Sequence, residues 1–202
     1  MDDPKHSTEE LILEAAQAVF LEKGLAGARM QEIADKAGIN KALLHYYFRS
    51  KDKLFEMIVS KAIGAVLPRM LAVLDTDLDL FEKIRRLASE YITFVSRNSF
   101  MPLFIVNEVN RNPQFFFKSL VQQERPHLDT FRRQVDEAVA QGRIRPVSSA
   151  QLLMNLMSMV IFPFLGRPVF QVALGLPAEE FEAEMERRRT EVAEFVIRAI
   201  QV

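Results

Sequence analysis

Lys41, Ala42, His45 and Tyr46 set a cation, a methyl group, an imidazole and a phenol within six consecutive residues. Carried on the outer face of one short helix, such a set suits insertion into the major groove of DNA. The flanking sequence supplies the means to hold that helix. Met30 to Leu54 reads MQEIADKAGINKALLHYYFRSKDKL, which predicts helices over about 30–37 and 41–47 joined by a turn at Gly38. Two short helices with a glycine-containing turn are a helix-turn-helix signature. Ile33, Ala34, Ala37, Ile39 and Leu44 can form the small core that sets the interhelical angle, and Asn40 is a good N-cap for the second helix. The charge is local too. Arg29 to Lys53 holds six basic and three acidic residues, so a formal net charge of -1 divides into +3 here and -4 elsewhere. Phosphate neutralisation dominates nucleic-acid affinity, so the surplus marks a candidate DNA face.

The wider pattern is more specific. Phe20 to Gly24 closes a first helix. Ile33-Ala34, Ala37-Gly38-Ile39-Asn40-Lys41, Leu44, Tyr46-Tyr47-Phe48 and Ser50-Lys51-Asp52-Lys53-Leu54 follow in order. Over roughly residues 8–60 the chain resembles the DNA-binding domain of the TetR family of bacterial transcription regulators. The resemblance implies base contacts from Lys41, Ala42 and His45, with Lys41 donating to guanine and Ala42 meeting a thymine methyl. It implies phosphate contacts from Tyr46, Tyr47 and Lys51, which fix register rather than sequence. Gln31 opens the preceding helix, where a base or phosphate contact is sometimes made, and Asn40 belongs to the same surface. Two residues depart from the family pattern. Leu43 replaces a hydroxyl residue, and His45 replaces the usual tyrosine. Arg29 stands where a serine or threonine often precedes helix two, and its charge can make up for one lost contact. The departures leave a second reading open, a helical small-molecule-binding protein with impaired DNA binding.

Beyond the motif the chain reads as helix after helix, all-α with about nine helices. Ser7 with Glu10 has capping-box spacing and precedes the stripe Ile12, Ala15, Ala16, Val19, Phe20. Further helices are expected over about 51–74, 78–97, 101–111, 126–141, 149–165 and from Pro177 onward, with a short Phe-rich segment at 113–123. A domain division at 1–52 and 53–202 follows the motif. By the resemblance, the second domain binds an effector and dimerises. Ten of the sixteen Phe lie between Phe94 and Phe170. Tyr91, Phe94, Phe104, Asn107, Asn110, Phe116, Met154, Met157 and Phe162 are the candidates for a pocket that takes a mostly apolar ligand with few polar handles. The same side chains at helical spacing also suit plain core. Met159, Phe181, Met185, Val192, Phe195, Val196 and Ala199 are the candidates for a four-helix dimer face, which would pair two recognition helices on a palindromic operator.

Other chemistries find little support. With no cysteine there are no disulfides, thiolate metal sites or cysteine nucleophiles. The three histidines, His6, His45 and His127, are scattered. No Gly-rich phosphate loop or Gly-x-Ser-x-Gly elbow is present, and no catalytic, metal or cofactor site is expected. The polar N-terminus is no secretory signal. The membrane suspect is the uncharged run from Pro146 to Gly166, whose apolar centre, broken by Asn155, Ser158 and Pro163, reads as a buried core helix rather than a span. The expected setting is the cytoplasm, with an operator, a small effector and a second copy of the chain as partners.

Overall fold

The computed structural model describes residues 7–98, 101–111 and 128–202. Among these it shows ten helices and no strand. They are α1 (Thr8–Gly27), α2 (Met30–Lys36), α3 (Lys41–Tyr47), α4 (Lys51–Asp75), α5 (Leu80–Arg97), α6 (Met101–Arg111), α7 (Asp129–Ala140), α8 (Ser149–Leu165), α9 (Arg167–Leu174) and α10 (Ala178–Ile200). The all-α class expected from the sequence is the observed one. The Phe-rich segment at 113–123 lies outside the described residues. Two compact units are formed, residues 1–64 and 65–202.

Local chemistry explains the N-terminal unit. The Ser7 hydroxyl accepts from the Glu10 N–H while the Glu10 carboxylate accepts from the Ser7 N–H, so the capping box forms as read. Ile12, Ala15, Ala16, Val19 and Phe20 are all buried. Gly24 interrupts α1 with φ 67°, and a further turn runs on to Gly27. At the end of α2, Ile39 N–H donates to Ala34 O at 3.0 Å and Gly38 N–H to Asp35 O at 3.2 Å. This is a Schellman turn, and Gly38 takes its left-handed position at φ 68°. The first half of α4 buries Leu54, Phe55, Ile58, Val59 and Ile63, and Phe55 meets Phe20 edge-on at 4.6 Å.

In the second unit α5 and α10 make the most extensive pairing. Ile84, Leu87, Ala88, Ile92 and Val95 of α5 join Phe181, Met185, Val192, Val196 and Ile197 of α10 in one core, closed by Leu152, Leu156 and Val160 of α8 and by Phe131 and Val135 of α7. This corrects the expected dimer face. Phe181, Met185, Val192 and Val196 are buried against α5 and α8 within the same chain. Lys83 is fully buried among these side chains, and its Nζ donates to Leu74 O at 2.7 Å, tying the last turn of α4 to α5. Burial holds that ammonium below the usual lysine range, while Asp75 and Asp77 pull it the other way.

Helix α9 was not legible as a helix, because Gly166, Pro168, Gly175 and Pro177 look like loop punctuation. Pro168 instead sits in the first turn, where a missing N–H costs nothing. α8 buries Leu152, Leu156, Val160, Pro163 and Phe164, as expected of a core helix. By length and composition α4 could cross a membrane, and α8 with α9 could form a span bent by 75°. Burial of one face of α4 in the N-terminal unit accounts for its apolar character there.

Candidate functional site

The recognition surface is built by α3. Asn40 caps it, its Oδ1 accepting from the Leu43 N–H at 2.8 Å. Leu44 is fully buried and Phe48 nearly so, which fixes the roll of the helix. Lys41, Ala42, Leu43, His45, Tyr46 and Tyr47 are consequently all exposed. Tyr46 is 83% exposed and meets Tyr47 edge-on at 5.6 Å, so neither phenol is folded away into the core. Arg29 is the N-cap of α2 and is exposed, with no side-chain cap bond. Gln31 donates from Nε2 to Asp35 Oδ1 at 2.8 Å, one turn along the same helix. One outward surface thus collects Lys41, Ala42, Leu43, His45, Tyr46 and Tyr47.

Lys51, the third residue assigned to phosphates, is held within the chain. Its Nζ donates to Leu25 O at 2.9 Å, Ala26 O at 3.2 Å and Ala28 O at 3.3 Å. The ammonium has three protons, and all are engaged at the end of α1. Lys51 is a clamp between α1 and α4. Lys51→Met should therefore cost about 1–2 kcal/mol of stability, as expected for charge-assisted bonds that are partly exposed. It should leave the salt dependence of DNA affinity unchanged. Urea unfolding and a salt titration of binding check both. A slope smaller by about one at unchanged stability would return Lys51 to the phosphates.

The second unit holds a cavity of about 690 Å³ between α4, α5 and α10. Its walls include Met70, Val73 and Phe94, and also Arg69, Arg86, Arg97 and Arg189 with Glu90. Of the expected ligand residues, Phe94 lines it. Tyr91 is half-buried beside Phe94, and burial pushes its phenol up to about 12, so it stays protonated. Met157 is half-buried and lines none of the described cavities. Met154, Phe162 and Asn110 are exposed, which corrects their placement in an interior pocket. The side chains of Phe104 and Asn107, and Phe116 as a whole, lie outside the described residues. The arginines were missed. Their signal was present on α5, where Arg86, Glu90, Thr93 and Arg97 recur at i, i+4, i+7 and i+11 beside the apolar stripe.

A second groove, of about 610 Å³, runs between α8, α9 and α10. Met159, Phe162, Phe170, Leu174, Phe181 and Met185 line it. Phe162 and Phe195 are 60% and 63% exposed, and Val169, Val172 and Leu174 of α9 are exposed as well. Ala199 is exposed and Met159 half-buried.

Residues 12–58 match the profile of the bacterial regulatory proteins of the tetR family. The N-terminal domain is that of the TetR family. The HTH-type transcriptional activator FasR of Mycolicibacterium smegmatis is 28% identical over 96 residues, 48% of this chain and 44% of that protein. The chain thus spans less than half the length of FasR. The HTH-type transcriptional repressor KstR2 of the same organism is 26% identical over 143 residues, 69% of each chain. The crystal structure of the TetR family regulator PfmR from Thermus thermophilus superposes with a TM-score of 0.68 at 21% identity, over 98% of this chain and all of that one. That likeness establishes the TetR fold along the whole chain. The chain carries the DNA-binding helix-turn-helix of TetR-family transcription regulators at its N-terminus.

Proposed function

We propose that this chain is a ligand-responsive transcription regulator that binds a palindromic operator as a homodimer in the cytoplasm. The observation that carries this reading is the division of α3, with Leu44 buried and Lys41, Ala42, His45, Tyr46 and Tyr47 turned outward. Lys41 and His45 supply donors for base edges, and Ala42 supplies a methyl contact. The two phenols serve phosphates. A single module of this size makes few contacts, and a second copy doubles them on a two-fold site.

The dimer surface in this reading is the exposed apolar face of α8, α9 and α10, with Phe162 and Phe195 at its centre and Met159 and Ala199 beside them. Phe162 moves here from the pocket list. Phe195→Arg is expected to convert a dimer to a monomer in sedimentation at micromolar concentration and to leave the helical content unchanged. A dimer persisting in that variant would remove Phe195 from the interface.

An activator and a repressor both stand among the relatives, so the sign of regulation rests on the family habit, which favours repression. Effector binding in the second unit releases DNA because the ligand has a higher affinity for the dimer state that fits the operator less well. Selection of genomic fragments by the purified protein tests the proposal. Enrichment of a palindrome with half-sites about one helical turn apart supports it. Recovery of no enriched sequence sinks it.

A further inference from the structure

The expected effector was mostly apolar, but the α4–α5–α10 cavity is lined by four arginines and one glutamate. Several arginines elsewhere in this unit have acidic partners. Arg85 binds Glu194 at 2.6 Å, Arg133 binds Glu137 at 2.9 Å and Arg167 binds Glu182 at 2.6 Å. In the cavity the balance fails. Glu90 is taken by Arg86 at 2.8 Å. Arg69 and Arg97 are exposed at its mouth, and their side chains have no hydrogen-bond or ion-pair partner among the described residues. Arg189 binds Glu186 through Nη1, yet its Nε is buried with no acceptor. A buried N–H without an acceptor is unfavourable, and an oxyanion is the group that would satisfy it. Met70, Val73 and Phe94 form the apolar part of the same wall.

We propose that this cavity binds a small amphipathic anion, with a carboxylate or phosphate head held by Arg69, Arg97 and Arg189 and an aliphatic tail against Met70, Val73 and Phe94. This rests on the reading of the second unit as the effector-binding domain and assigns the chemical class of its ligand. Planar guanidinium groups match the oxygens of either head, so carboxylate and phosphate share the recognition chemistry. Thr93 donates to the Ser89 carbonyl and Asn98 to the Phe94 carbonyl, so both are engaged within α5 and its cap.

Calorimetric titration of the full chain with octanoate, octyl phosphate and 1-octanol tests the assignment. One or both anions should bind at least about tenfold more tightly than the alcohol, the scale set by a charge-assisted bond. The head that binds better identifies the source. Arg69→Gln and Arg97→Gln should each weaken the anion about tenfold and leave octanol binding and the melting temperature unchanged, while Arg97→Lys should retain part of the affinity. Equal binding of octanol and octanoate overturns the inference. So does no binding of either anion, or wild-type octanoate affinity in the double glutamine variant. Gel shifts on a selected palindrome are run in parallel. DNA binding without anion binding removes this inference alone. Anion binding with no selectable DNA supports it and removes the regulator reading instead.

Discussion

Phe181→Ala is expected to lower the stability of the second unit by about 3–5 kcal/mol, the range for truncating a buried phenylalanine. The ring is 1% exposed and belongs to the core shared by α5, α8 and α10. Its face also carries the Arg167 guanidinium 4.9 Å from the centroid, a cation–π contact that alanine abolishes. Equilibrium urea unfolding at several protein concentrations measures the loss. For a core residue the deficit is the same at every concentration, whereas an interface residue shows a deficit that grows on dilution. Phe195, one turn from Val192 but 63% exposed, is the control. Phe195→Ala should change the concentration-independent part by no more than about 0.5 kcal/mol. If the two variants exchanged behaviours, the roll of α10 described above would be wrong.

That pair of phenylalanines shows where sequence reading stops. A stripe at helical period says that a face is covered, but it does not say by what. Phe181, Met185, Val192 and Val196 form such a stripe, and α5 covers it; Phe195 lies beside it and faces out. The head was more legible because its determinants are local. The α1 stripe, the Asn40 cap, the Gly38 turn and the split of α3 each depend on residues a few positions apart. The setting of Lys51 was less legible for the opposite reason. Its three acceptors lie 23 to 26 residues earlier, and a lysine near a DNA-binding helix looks like a phosphate ligand until those carbonyls are placed. The arginine cavity was harder still. Arg69, Arg97 and Arg189 come from three helices, and each alone resembles a solvated surface charge. Only the packing of α4, α5 and α10 puts them on one wall.

Leu44→Ala is expected to destabilise the N-terminal unit by about 2–5 kcal/mol and to abolish operator binding. Leu44 is fully buried, together with Ile33 and Ala34 of α2, in a unit whose α2 and α3 are seven residues each. Helices that short are not stable by propensity, so α3 exists because its apolar side chain docks. Removing three carbon atoms from that anchor leaves the Asn40 cap and the exposed face chemically intact but frees the helix to roll and fray. Base contacts are lost together rather than one by one. His45→Ala, the next residue along, separates this from a direct contact. His45 is exposed, so its removal should change stability by no more than about 0.5 kcal/mol. Its effect on affinity should be about 1–3 kcal/mol at one operator position and slight when that base pair is changed. Circular dichroism melts with gel shifts on the matched and substituted operator distinguish the two. A Leu44→Ala protein that keeps both its melting temperature and its operator affinity would show that the buried side of α3 does not position its outer face.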